Sequence, residues 1–191
     1  IAGDDLASIL TVWPLYLASC AGQLIYGFFL VMTLRRGDLS AYYPIIRSSP
    51  AGIVVFGFFV LVEQYSLILL AGIVLVLVGG FLLQFRPGMR LLDDYKTLGC
   101  ALLSMCGVAT YSLADSQAVH EIAPSVLFFW VEATCLVCYL VLFRMMGEHS
   151  VRWTALYTWL RRPLSNTAAG VFAYASYWLI LEAYALGGNV A

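Results

Sequence analysis

Charge is scarce in this sequence. Lysine, arginine, aspartate and glutamate together make up 11% of its 191 residues, whereas soluble domains carry about 25%. Histidine is nearly missing, with only His120 and His149. His120-Glu121 has Pro124 where a zinc helix would need its second histidine, so a metalloprotease pattern is excluded. No glycine-rich phosphate loop is present, which argues against ATP-driven work by this chain, and no basic stretch is interleaved with aromatics as a nucleic-acid surface requires. No nucleophile–base or metal constellation supports an enzyme, and no cofactor is implied. A signal-peptide pattern is missing too. The chain starts at Ile1 rather than Met, so the natural start is expected upstream.

Cysteine is present but unstructured by pattern. Cys20, Cys100, Cys106, Cys135 and Cys138 all lie in apolar runs. Cys135-x-x-Cys138 has redox or zinc spacing, yet without a second pair or a neighbouring histidine it reads as packed or lipid-facing.

What the chain has in abundance is apolar length: 62% of residues are hydrophobic. Six segments, about 8–34, 41–62, 65–84, 97–115, 122–146 and 164–187, are long enough to cross about 30 Å of hydrocarbon. Gly37, Pro87-Gly88 and Arg162-Pro163 mark turns between them. The runs are too long for barrel strands and lack their two-residue period. The expected fold is therefore an all-α polytopic transmembrane bundle, with the lipid bilayer as its first partner.

The few charges are unevenly placed. If successive loops alternate sides, Arg35, Arg36, Arg86, Arg90, Lys96, Arg144, Arg152, Arg161 and Arg162 share one side. The other side has Asp4, Asp5, Glu63, Asp115, Glu121 and His120. The basic side is expected to be cytoplasmic, which places loops 35–40, 85–96 and 147–163 inside the cell. Within the last of these, Val151–Arg162 alternates aromatics with arginine and reads as a short interfacial helix.

Several polar groups stand within apolar segments. Arg47 lies about 9 Å into the second span from Ala41, where a guanidinium needs water, a counter-charge or an anionic ligand. It could bind a substrate carboxylate or phosphate, snorkel to headgroups, or pair with Asp38 or Glu132. Tyr43, Pro44 and Pro50 share its face, and the prolines are expected to kink the helix and free carbonyls. Glu132, about 12 Å beyond a helix start at Pro124, sits near the midplane on a face with Ser125, Phe128, Phe129, Cys135 and Tyr139. It is expected to face the bundle interior or a wet cavity, either as a proton- or cation-coupling site or as a protonated or paired structural acid. Tyr111 lies on a stripe with Ser104, Val108 and Asp115, and Asp115 itself is expected to be solvated near a helix end. Glu182, with Trp178 one turn earlier, is a further intramembrane acid. Ala18-x-x-x-Gly22 and the Gly72/Gly79-Gly80 pattern are expected to permit close helix packing.

A faint repeat matches Tyr26 and Gly37-Asp38 with Tyr177 and Gly188-Asn189 on helices of opposite direction, as an inverted transporter repeat would. Tyr26, Arg36-Gly37-Asp38-Leu39-Ser40, Tyr43-Pro44-Ile45-Ile46-Arg47, Val62-Glu63-Gln64-Tyr65-Ser66, Gly72 with Gly79-Gly80, and Trp159-Leu160-Arg161-Arg162-Pro163 ahead of Tyr177 resemble, in order and spacing, the drug/metabolite transporter superfamily and its ten-helix EamA-like branch. Gln64 departs from the basic residue usual there. The resemblance implies a fragment of an inverted 5+5 repeat lacking helix 1 and helices 8–10, with 1–94 holding helices 2–4 and 95–191 holding helices 5–7. It implies a bacterial inner-membrane secondary transporter of small metabolites, amino acids or drug-like molecules, acting by alternating access, with efflux favoured over import. Proton coupling is motivated by Glu132. The substrate-facing candidates are then Glu132, Arg47, Tyr43, Tyr111, Tyr139, Glu182 and Trp178, and a homodimer is compatible with the pattern. The rivals are a flippase for a lipid-linked headgroup and a non-transporting membrane scaffold or subunit.

Overall fold

The structure is a computed structural model, and it describes residues 9–36, 39–56, 66–84, 94–145 and 160–187. Among these residues the regular elements are all helices: α1 (Trp13–Arg36), α2 (Leu39–Arg47), α3 (Ser49–Phe56), α4 (Leu67–Gln84), α5 (Tyr95–Ala118), α6 (Pro124–Met145) and α7 (Pro163–Ala185). Among the described residues three stretches are long and apolar enough to cross a membrane, namely α1, α5 and Pro124–Leu142 of α6. Leucine and valine stay exposed along them, as at Leu17, Leu102, Leu136 and Val141. Helix satisfies every backbone group internally, which is what permits such surfaces to meet hydrocarbon.

The chain packs as two compact units. The described part of residues 17–114 forms one, and that of 1–16 with 115–188 forms the other.

In the first unit α1 and α5 cross at two glycines. A Cβ added to Gly107 would lie 2.6 Å from the Tyr26 backbone nitrogen, and one added to Gly22 would lie 2.7 Å from that of Tyr111. Only a bare Cα lets the two backbones come so close. Ser104 Oγ seals the crossing by donating to the Tyr26 carbonyl at 3.1 Å. Gly22 against Tyr111 and Tyr26 against Ser104 run in opposite sequence directions, so the helices are antiparallel. Next to them Tyr42, Ile45 and Ile46 of α2 bury against Ala101, with Tyr26, Leu30 and Leu98 packed around. Helix α4 packs on α2 and α3.

Gly22 thus stands at a close helix crossing, whereas for Gly72 and Gly79 the described residues show none. No described atom lies within 4 Å of where their Cβ atoms would stand.

In the second unit α6 and α7 pack together. Leu127, Phe128, Val131 and Cys135 form the buried face of α6, and Leu181 is the buried residue of α7. The start of α1 joins α6 through Tyr16, whose hydroxyl donates to the Trp130 carbonyl at 3.2 Å and lies 2.5 Å from Thr134 Oγ1. Pro124 and Pro163 each open a helix, where a missing N–H costs nothing. Beyond the end of helix α7 at Ala185, the Gly187 N–H donates to the Tyr184 carbonyl at 3.0 Å, and Gly187 itself takes the left-handed conformation, φ 91°, that glycine allows after a helix.

Of the interfacial helix expected over 151–162, residues 151–159 lie outside the described residues, as do Gly37-Asp38, Glu63, Gln64 and Gly188-Asn189.

Candidate functional site

The segment expected to span as one helix is interrupted. Helix α2 ends at Arg47, Ser48 forms a turn, and α3 begins at Ser49. Pro50 has no N–H to give the Ile46 carbonyl, so the α-helical ladder cannot run through this point. The turn closes instead on Ile45, whose carbonyl accepts from Ser48 N at 3.1 Å and from Ser48 Oγ at 2.5 Å. Ser48 Oγ also reaches Met105 Sδ at 3.3 Å, anchoring the break to α5. The kink expected from the two prolines takes this form: Pro44 is carried inside α2 and Pro50 marks the restart.

Arg47 stands at the break. Its Nε donates to the Tyr43 hydroxyl at 2.7 Å, and its guanidinium carbon lies 5.1 Å from the centre of the same ring. The four-residue spacing brings these side chains onto one helix face. Tyr26 and Tyr111 lie within electrostatic reach of the guanidinium, and their own rings are 6.1 Å apart and tilted by 58°. Arg47, Tyr43 and Tyr111 are therefore gathered in one unit, with Tyr26 added. Among the described residues no acid pairs with Arg47, and its hydrogen bond is made by Nε alone. The side chain is exposed. A guanidinium held by one edge offers its remaining N–H groups as a planar fork that matches a carboxylate or phosphate.

The second unit holds a different polar feature. Asp115, expected to be solvated near a helix end, is 2% exposed. Helix α5 continues past it to Ala118, and Ala118, Val119 and Ile122 are buried beside the turn. The Tyr177 hydroxyl donates to Asp115 Oδ2, and Tyr184, two turns further along α7, lies within electrostatic reach. The Tyr177 ring is fixed by Phe128, 5.2 Å away between centres, which also packs 4.6 Å from Tyr174. An acid enclosed among aromatic rings in this way is a functional-site signal in a membrane protein.

The remaining candidates are more dispersed. Glu132 was expected to face the bundle interior, and it is exposed. It lies roughly 40° around the helix from Phe128, just past the buried arc and toward the exposed Phe129 and Leu136. Tyr139 and Glu182 are half-buried, and Trp178 is 38% exposed. Cys135 is buried and Cys138 half-buried, and neither is in a disulfide. Among the described residues no three ligating side chains converge as a metal site would need.

No family model, curated protein or solved structure matches the chain. Sequence reasoning found Arg47 and Tyr43 because a cation in an apolar run is conspicuous. It missed Asp115 because the apolar run ahead of that residue looked as though it ended there. The surviving signal was Tyr111 and Asp115 at i and i+4, with four further residues, none of them Gly or Pro, before His120.

Proposed function

We propose that this chain works as a secondary transporter of small metabolites, with amino acids and amphipathic drug-like molecules as the substrate classes, moving them by alternating access. The observation that carries the reading is the interrupted helix at Ser48 with Arg47 and Tyr43 at its edge. Broken helices at membrane depth persist where they line a cavity, and transporters build substrate sites from them. The tyrosines supply aromatic walls and hydroxyls, and Arg47 supplies a fork for a substrate carboxylate. The order of motifs similar to EamA-like transporters supports the same reading. With it go six spans in an inverted arrangement, and basic turns on the cytoplasmic face of a bacterial inner membrane.

The exposure of Arg47 favours one second reading, a flippase whose cargo is a lipid-linked headgroup. The same fork would then hold a phosphate. Flux in proteoliposomes containing the full-length protein separates the two. For a soluble carboxylate substrate, Arg47→Gln is expected to lower saturable uptake about tenfold or more, since hydrogen bonds to a charged group are worth about 1.5–3 kcal/mol. Tyr43→Phe is expected to give a smaller loss by freeing the guanidinium to wander. Unchanged flux in both variants would defeat the assignment of the site, and headgroup translocation without soluble uptake would favour the flippase.

A further inference from the structure

The transport reading makes no use of the acid enclosed in the second unit. We propose that Asp115 is a proton-binding site, its carboxyl loading and releasing a proton against the Tyr177 hydroxyl. The inference rests on the transport reading only for what the proton would be coupled to.

Three observations support it. Asp115 is 2% exposed on a helix apolar enough to span a membrane, where a permanent carboxylate charge is costly and a bound proton removes that cost. The contact made by Asp115 Oδ2 is to a phenol, which can serve both states of the acid. Toward the ionised carboxylate the Tyr177 O–H donates, and from the protonated carboxyl the same oxygen can accept. The third observation is that the phenol is positioned: Phe128, itself 4% exposed, packs on its ring. The titratable groups set against Asp115 from α7 are the phenols of Tyr177 and Tyr184. Helix α6 contributes the uncharged Phe128, and His120 and Glu121 on the following turn are exposed.

The step balances simply. On loading, hydronium gives its proton to a carboxylate oxygen, one O–H bond forms and water departs. On release that O–H bond breaks and water takes the proton. The mechanical consequence lies in the hydrogen bond. With the carboxylate ionised the Tyr177 contact is charge-assisted, and protonation turns it into a neutral one of about half the strength. Loading a proton therefore loosens α7 from the end of α5, and releasing it tightens the pair.

Infrared difference spectroscopy of the full-length protein in lipid nanodiscs, stepped through pH, tests the site directly. In the wild type a protonated-carboxyl band is expected to grow as pH falls. The band should be lost in Asp115→Asn, and should move in frequency and midpoint in Tyr177→Phe. An unaltered pH-dependent band in folded Asp115→Asn overturns the proposal. Should Asp115→Asn not fold, a band identical in Tyr177→Phe and wild type overturns it instead. A parallel flux assay keeps the two ideas separate. Titration of Asp115 with no flux of any substrate supports the site and sinks the transporter reading. Flux that loses its response to a pH gradient in Asp115→Asn, and keeps it in Glu132→Gln, supports the site as the coupling group. The reverse pattern, with no Asp115 band, overturns the proposal and leaves transport standing.

Discussion

Asp94 caps α5 from just outside its first turn. Its Oδ1 accepts from the Thr97 amide at 3.1 Å and its Oδ2 from the Thr97 hydroxyl at 2.5 Å, satisfying a donor that the helix cannot. The Thr97 hydroxyl above all, then its amide, with Arg36 nearby, hold the Asp94 carboxyl below the ordinary carboxylate range. A carboxylate whose value is lower in the folded state stabilises above its unfolded value, and that contribution disappears as pH falls through the folded one. Asp94→Ala is therefore expected to lower the thermal midpoint near neutral pH, and to converge with wild type in acid. Melting curves of both proteins across that range check it. At the same scale, Glu132 and Asp115 show what sequence can and cannot say about an intramembrane acid. Position along a segment says how deep a residue lies, and Glu132 was picked out for its depth and for the mixed aromatic and polar face it shares. Enclosure depends on which arc of the helix meets a neighbour, and for α6 that arc is set by Leu127, Phe128, Val131 and Cys135.

Helices in this chain were legible wherever a run was long and its ends were punctuated. Pro124 and Pro163 open α6 and α7 as their residue type predicts. Pro44 and Pro50 foretold trouble in the second span, though not that the ladder would break outright at Ser48, since the Ser48 hydroxyl had to find both the Ile45 carbonyl and Met105. Glycines were harder to read. Gly22 was identified from small-residue spacing, but its counterpart, Gly107, has the large residues Leu103 and Tyr111 four positions away on either side, and Gly72 and Gly79 have no described neighbour within 4 Å. The contrast is measurable. Gly107→Ala pushes a methyl group into the Tyr26 backbone and is expected to cost about 1–3 kcal/mol, as overpacking does. Gly72→Ala meets no described atom within 4 Å and is expected to be neutral, or stabilising by up to about 1 kcal/mol. Unfolding of the two variants in detergent compares them, and equal effects would contradict the crossing.

For the molecule as a whole, the account depends on apolar helices crossing a bilayer with nine of the ten lysines and arginines on one side. The helical class was legible in the sequence, because the apolar runs are too long for barrel strands and lack their two-residue period. The meeting of Arg47, Tyr43, Tyr26 and Tyr111 was not, since it needs α1, α2 and α5 to pack in one order, and no periodicity encodes that order. Side-specific labelling of single cysteines, placed in a cysteine-free background at residues 37, 88 and 160 and at residues 64 and 120, tests the arrangement most directly. The first three are expected to react with a membrane-impermeant thiol reagent only from the cytoplasmic side, and the last two only from the outside. Labelling of residues 37 and 120 from the same side, or of all five from both sides of sealed membranes, would contradict it.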